Sequence, residues 1–208
     1  DWQSLLRMSQ IYRQRREFDK AADANRKALE IEPNNLEVRY NNVAILDAQG
    51  KQQDALTAMK DLVTSTAKRS DSAGERSNRI ILLERLAGMY RTAEQYEQAI
   101  DAYRQIGELE PNTASKVAAQ TADTWRLAKQ FQKALDEANA AAKKFPGDRA
   151  VIGIRASVLA DLGRNDEAVA EAKKLFDGKS DRETWLTLAM IYEKAKKYAD
   201  MGKALDEA

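Results

Sequence analysis

The sequence predicts an all-α fold, an α-α superhelix in which antiparallel helical hairpins stack side by side. Two observations predict it: a small residue that recurs at a nearly constant spacing, and turn signals between the copies. The recurring residue is alanine, found at Ala21, Ala55, Ala99, Ala134 and Ala168. The spacings are 34, 44, 35 and 34 residues. A period near 34 is typical of two-helix repeats, each of which buries its apolar face only by stacking on its neighbours.

The first helix of the third copy shows the apolar pattern of a buried helix face. Leu86 lies three or four residues from each of Leu82, Leu83, Met89 and Tyr90. This spacing places them along one side of an α-helix. We therefore predict a helix over 82–90 that packs through this side.

Turn signals separate the copies. They are Pro-Asn-Asn at 33–35, Pro-Asn at 111–112 and Pro-Gly-Asp at 146–148. Each stops one helix and offers an N-cap to the next. The segment Ser-Asp-Arg-Glu at 180–183 has the pattern of a capping box.

Individual residues also match a known repeat pattern of bulky apolar, apolar-small, Tyr, Ala, aromatic or apolar, Ala and Pro. The third copy carries it at Leu83, Leu86, Ala87, Tyr90, Ala99, Tyr103 and Pro111. The first copy carries it at Leu5, Met8, Ser9, Tyr12, Ala21, Ala28 and Pro33. The chain therefore resembles the tetratricopeptide-repeat family over essentially its whole length, and the resemblance implies about six repeats.

We predict a single array over residues 1–208. Its units lie at about 2–35, 36–69, 80–113, 115–148, 149–181 and 182–208, the last of them truncated. An insertion at about 70–79 accounts for the one long spacing. Because Ser72 and Glu75 are spaced as a capping box, we interpret the insertion as an N-terminal extension of the following helix, with a loop as the alternative. The missing initial Met and the truncated last unit lead us to expect a segment of a larger, bacterial protein.

Composition argues against several classes of function. The formal net charge is +1, which gives no general attraction to nucleic acid or to an anionic membrane. The chain has no His and no Cys, the commonest metal and acid/base groups, and no glycine-rich phosphate loop. We expect no catalytic residue, no cofactor and no metal. With neither a signal segment nor a long apolar run, we expect a soluble chain, cytoplasmic or periplasmic.

These expectations favour a protein-interaction scaffold that binds a polypeptide, rather than an enzyme. The alternative is a substrate-docking or regulatory arm of a larger enzyme or assembly. Self-association through the ends of the array is a further possibility, because Met201 and Leu205 lack a following helix to cover them.

The resemblance implies where a partner would bind, because in this family the first helix of each repeat lines the concave face. The candidate contacts on that face are Gln10, Arg13, Tyr40, Asn41, Glu84, Arg85, Arg91, Asp123 and Arg126. The arginines at 13, 91 and 126 recur at one place in the repeat and suit carboxylate contacts. Alternatively, they pair within the groove with Asp47, Glu84 or Asp123.

The best-known ligand of the family is a C-terminal carboxylate held by five polar residues. Only Asn41 and Arg85 match that clamp. The other three places hold Leu6, Gln10 and Ile81. We therefore predict that the chain is not a receptor for chaperone tails.

Overall fold

The computed structural model describes residues 1–67, 72–176 and 182–208. Every regular element in these ranges is helical, which confirms the predicted all-α fold. The chain forms two compact units, unit 1 over Asp1–Gln95 and unit 2 over Tyr96–Ala208. That residues 1–208 form one array stays a prediction. No helix in the described ranges is long and apolar enough to cross a membrane.

Unit 1 holds five helices and unit 2 holds seven, counted over the described residues. Those of unit 1 are α1 (Trp2–Gln14), α2 (Phe18–Ile31), α3 (Leu36–Ala48), α4 (Gln52–Thr66) and α5 (Ala73–Thr92). Those of unit 2 are α6 (Tyr96–Leu109), α7 (Ala114–Leu127), α8 (Phe131–Lys144), α9 (Arg149–Asp161), α10 (Asn165–Ala172), α11 (Arg182–Lys194) and α12 (Tyr198–Asp206). Short 3-10 turns follow α6 and α10 at Pro111–Thr113 and Lys173–Leu175.

Within each unit, consecutive helices pack as antiparallel hairpins, and neighbouring hairpins pack on one another. In unit 1 the hairpins α1/α2 and α3/α4 are joined by contacts of α2 with α3 and of α4 with α5. In unit 2 the hairpins are α7/α8, α9/α10 and α11/α12, and the helix before each hairpin packs on its first helix. First helices also touch one another, α1 with α3 and α9 with both α7 and α11.

The recurring alanines lie at the centre of this packing. Ala21, Ala55, Ala99, Ala134 and Ala168 are all fully buried, with 0% of their surface exposed. A methyl group at a helix crossing lets two backbones approach closely, whereas a longer side chain would hold them apart. The regular spacing of these alanines therefore reflects one close helix crossing in each repeat.

Six helix ends among the described residues share one turn geometry. The residue after the C-cap has a positive φ of 56–74° in each, at Arg16, Gly50, Glu94, Lys129, Gly163 and Lys196. The backbone N–H of the next residue donates to a carbonyl five residues back, at 2.8–2.9 Å. This is a Schellman turn, which usually places glycine in the left-handed conformation. Only Gly50 and Gly163 meet that preference, so sequence alone identifies two of the six turns.

Helix α5 begins at the capping box predicted from Ser72 and Glu75, which adds turns to its N-terminal end. The helix has 20 residues and begins after Ser72, whose hydroxyl accepts from the backbone N–H of Glu75 while the Glu75 carboxylate accepts from the backbone N–H of Ser72. The added turns are tied to α4 by Arg79, which is buried and donates to the carbonyl of Val63 and the hydroxyl of Thr66. Residues 70 and 71, the start of the predicted insertion, lie outside the described ranges.

The predicted N-caps are confirmed at two sites and wrong at one. Asn35 accepts from two backbone N–H groups at the start of α3, and Asp148 accepts from the N–H of Val151 in α9. Asn112 caps nothing, because Pro111 begins a 3-10 turn that runs directly into α7. Of the capping box predicted at 180–183, Ser180 and Asp181 lie outside the described ranges.

Candidate functional site

The first helices of unit 1 carry two clefts and several exposed side chains. Gln10 of α1 and Glu37 of α3 line one cleft of 470 Å³, and Asp47 of α3 and Arg85 of α5 line another of 410 Å³. Between them, Tyr40 lies one helical turn after Glu37 on the same side of α3. We call the exposed residues of this surface the unit 1 face, which consists of Gln10, Tyr40, Asp47, Ile81 and Arg85.

An exposed ion pair crosses the unit 1 face. The Nη2 atom of Arg85 lies 2.6 Å from Oδ2 of Asp47, and the two side chains are 46% and 42% exposed. Pairs of this exposure contribute about 0–1 kcal/mol, because water already solvates both charges. A carboxylate from outside could therefore replace Asp47 at little cost.

Two large apolar side chains are exposed on the helices that carry this ion pair, Tyr40 two turns before Asp47 on α3 and Ile81 on α5. Tyr40 is 38% exposed and Ile81, one turn before Arg85 on α5, is 58% exposed. One turn after Arg85 lies Gly88, where an added Cβ would meet no atom within 4 Å. The face thus combines apolar surface, a weakly held charge and open space above a helix.

The first helices of unit 2 carry charges that satisfy one another. Arg126 of α7 donates through Nε to Asp123, at 2.9 Å, and through Nη1 to Asp161 of α9, at 3.1 Å. Asp161 also accepts from Lys194 of α11. We call these four residues the charge ladder. It connects three successive first helices through two cations and two anions.

The charge ladder is more enclosed than the ion pair of unit 1. The side chains of Asp161 and Arg126 are 14% and 28% exposed. Burial works to lower the pKa of the Arg126 guanidinium, but the hydrogen bonds and charges of Asp123 and Asp161 outweigh it and raise that pKa above its ordinary value. The protonated guanidinium is therefore held by groups of the chain itself.

A third set of polar groups is buried inside unit 1. Asn41 of α3 donates to the hydroxyl of Ser9 in α1, at 2.8 Å, and to Oδ1 of Asn25 in α2, at 2.9 Å. Ser9 donates to the carbonyl of Ala21, and Asn25 donates to that of Val38. We call Ser9, Asn25 and Asn41 the amide network. It connects the first two hairpins by hydrogen bonds.

No arrangement for metal chemistry is found in the described parts of the chain, where no three acidic side chains are placed to hold an ion. The clefts of unit 1 are open and are lined by amides, an ion pair and apolar groups. Such groups are suited to contacts with a polypeptide.

Comparison with known proteins gives one family and many related structures. Residues 3–35 match the family model described as a tetratricopeptide repeat. A tetratricopeptide repeat protein from Parabacteroides merdae matches 99% of this chain over 78% of its own, with 17% identity and a TM-score of 0.68. The chain has the tetratricopeptide-repeat fold. No curated protein sequence matches it.

Two further structures have the same tetratricopeptide fold over most of their length. PilF from Pseudomonas aeruginosa matches 98% of this chain and 88% of its own, with 16% identity and a TM-score of 0.57. MamA from Desulfovibrio magneticus RS-1 matches 86% of this chain over 97% of its own, with 15% identity and a TM-score of 0.59. At these identities the likeness concerns the fold. The twelve helices of the described residues fit about six tetratricopeptide repeats.

The tetratricopeptide repeat brings some of the predicted contact residues to the surface and not others. Gln10, Tyr40 and Arg85 are exposed, whereas Arg13, Glu84, Arg91, Asp123 and Arg126 are half-buried. Asn41 is a correction: it is 3% exposed, because its amide belongs to the amide network and not to the groove. Arg126 pairs with Asp123, which is one of the internal partners that the alternative interpretation gave to the arginines.

Sequence reasoning passed over Asp161 and Lys194 as contact residues, although both lie on the predicted face. Asp161 is 35 residues from Arg126 and 33 from Lys194. Both separations are close to the repeat period. Charges of opposite sign one repeat apart on first helices are therefore the sequence pattern that could have identified these ion pairs.

Proposed function

We propose that the chain is a protein-interaction scaffold that holds an extended polypeptide on the unit 1 face. The observation that carries the proposal is the exposure of Tyr40 and Ile81 on the same first helices as the weakly held pair of Arg85 and Asp47. Apolar anchors beside an arginine are typical of protein-binding surfaces.

Each part of the face has a role in this proposal. Tyr40 and Ile81 contact apolar side chains of the partner, and the amide of Gln10 bonds to its backbone. Arg85 exchanges Asp47 for a carboxylate of the partner when one is present. Arg13, Glu84 and Arg91 are half-buried and shape the edges of this surface.

The tetratricopeptide fold supports the proposal because the proteins that share it commonly serve as interaction scaffolds. The fold leaves the first helices covered by neighbours on their sides but open on one face. Nothing in the proposed role needs a cofactor or a catalytic group. The scaffold acts by holding its partner.

The test is capture of a partner by the whole chain and by a face variant. The double variant Tyr40→Ala, Ile81→Ser removes both apolar anchors. We expect proteins captured by the wild-type chain, identified by mass spectrometry, to bind the variant at least about tenfold more weakly, as for the loss of two buried anchors.

The matched control is Ile31→Ser. Ile31 is as exposed as these anchors, at 50%, but lies at the end of α2 and outside the unit 1 face. Partners should bind the control as they bind the wild-type chain. If both variants lose the same partners equally, the surface is elsewhere. If the chain captures no specific partner, the scaffold proposal is overturned.

A further inference from the structure

The charge ladder of unit 2 has the geometry of an occupied carboxylate site. A guanidinium from α7 and an ammonium from α11 converge on the carboxylate of Asp161, which lies between them at the end of α9. An arginine and a lysine converging on one carboxylate are the groups by which proteins bind an acidic ligand. Here the carboxylate comes from the chain itself.

Asp161 is well placed to hold that position. Only 14% of its side chain is exposed, and each of its oxygens accepts from a different cation, Oδ2 from Arg126 and Oδ1 from Lys194. Lys194 is itself 42% exposed, so one side of the site is open to solvent. An external carboxylate could reach the cations, but it would have to displace Asp161 from both.

Displacement would be unfavourable for two reasons. The external ligand loses freedom on binding, whereas Asp161 is already fixed by its own helix. A displaced Asp161 carboxylate would remain close to the incoming anion, and like charges at this distance repel. The internal ligand therefore has an advantage over any acidic partner.

We propose that Asp161 is an internal ligand that occupies the cation pair Arg126 and Lys194 and excludes acidic polypeptides from the first helices of unit 2. The residue thereby determines specificity, since removing its charge would turn the same surface into an acceptor of acidic segments. The inference rests on the proposed function only in taking the first helices as the surface that partners approach.

The experiment uses a synthetic probe, so it does not depend on a natural partner. A fluorescein-labelled hexaglutamate peptide is titrated with the whole chain at low salt, and its anisotropy is measured. We expect Asp161→Asn to bind the peptide about tenfold or more tightly than the wild-type chain does, as for a gain of charge-assisted hydrogen bonds. Added salt should abolish the gain.

The matched control is Asp166→Asn. Asp166 belongs to the same unit and pairs with Lys197 at 2.8 Å, but it is 93% exposed and outside the ladder. It changes the net charge by the same amount, so it should bind the probe as the wild-type chain does. A double variant, Asp161→Asn with Arg126→Gln, should lose the gain.

Two results would overturn the proposal. One is a wild-type chain that binds the peptide as tightly as Asp161→Asn, which would show that Asp161 excludes nothing. The other is equal binding by Asp161→Asn and Asp166→Asn, which would show that the cation pair is no acceptor. Melting curves establish that each variant is folded. If Asp161→Asn is not, Asp123→Asn exposes the other side of the same guanidinium and should give a smaller gain than about tenfold, yet more than Asp166→Asn.

Discussion

Units 1 and 2 are built from the same repeat but differ in the polar links between their helices, most clearly in the amide network of unit 1 and the charge ladder of unit 2. In unit 1 a buried link, the amide network, joins α1, α2 and α3, and an exposed ion pair joins α3 and α5. In unit 2 the charge ladder joins α7, α9 and α11, and Arg149 of α9 also donates to the buried hydroxyl of Thr184 in α11. One fold thus permits two kinds of polar link between neighbouring repeats.

The two units also differ in the charged groups that their first helices expose. Both units expose apolar side chains on first helices, Tyr40 and Ile81 in unit 1 and Leu186 and Met190 in unit 2. On the unit 1 face these accompany the exposed ion pair of Arg85 and Asp47. The ladder of unit 2 uses the charged groups of its first helices for internal contacts. We infer that unit 1 is suited to binding, whereas unit 2 is suited to selecting against acidic partners.

The largest expected effect tests whether the two units share their hairpin packing. Ala21→Leu in unit 1 and Ala134→Leu in unit 2 should each lower the free energy of unfolding by about 1–3 kcal/mol, because a buried helix crossing has no room for the added atoms. Urea denaturation measures both. An unchanged midpoint for either variant would mean that its hairpin is packed differently from the other.

The second prediction tests the amide network. Asn41→Leu should lower the free energy of unfolding by about 2 kcal/mol, because it leaves Oδ1 of Asn25 buried without its donor. The loss should be the same at low and high salt, since no charge is involved. The double variant Asn25→Leu, Asn41→Leu should recover part of it. A double variant that loses the sum of both single effects would show that the amides do not act together.

The third prediction tests the charge ladder by the same measurement. Asp161→Asn should lower the free energy of unfolding by about 1 kcal/mol at low salt, because a partly buried carboxylate between two cations is lost. In about 1 M salt, where the screening length is about 3 Å, the difference should shrink. The exposed Asp166→Asn should have no measurable effect. A salt-independent loss in Asp161→Asn would remove the contrast between the units.

Much of the fold could be predicted because it depends on spacing. The buried alanines, the caps at Asn35 and Asp148 and the extension of α5 after Ser72 all follow from local rules about helix ends and crossings. The error at Asn112 is also local. Proline at 111 favours a 3-10 turn as readily as a clean break, and the sequence does not distinguish the two.

The site was harder to predict because it depends on how each helix is rotated about its axis and on which partner each long side chain reaches. Successive residues of a helix point about 100° apart, so Tyr40 can be exposed while Asn41 is buried, and a one-residue error in the face exchanges them. Which carboxylate an arginine chooses is not periodic. Arg126 has both Asp123 and Asp161 within reach, and only the packed helices bring Asp161 to it.

The smallest effect concerns the turns, where the two units should behave alike. Glu94 in unit 1 and Lys129 in unit 2 both have a φ of 58°, a conformation that costs a residue with a Cβ more than it costs glycine. Glu94→Gly and Lys129→Gly should each raise the free energy of unfolding by about 0.5 kcal/mol, the strain relieved less the entropy that glycine adds to the unfolded chain. Gly163→Ala, at a φ of 74°, is the control of opposite sign and should destabilise. If both glycine variants raise the free energy of unfolding equally, the two units differ in their polar links and not in their turns. If only one variant raises it, the turns of the two units differ as well.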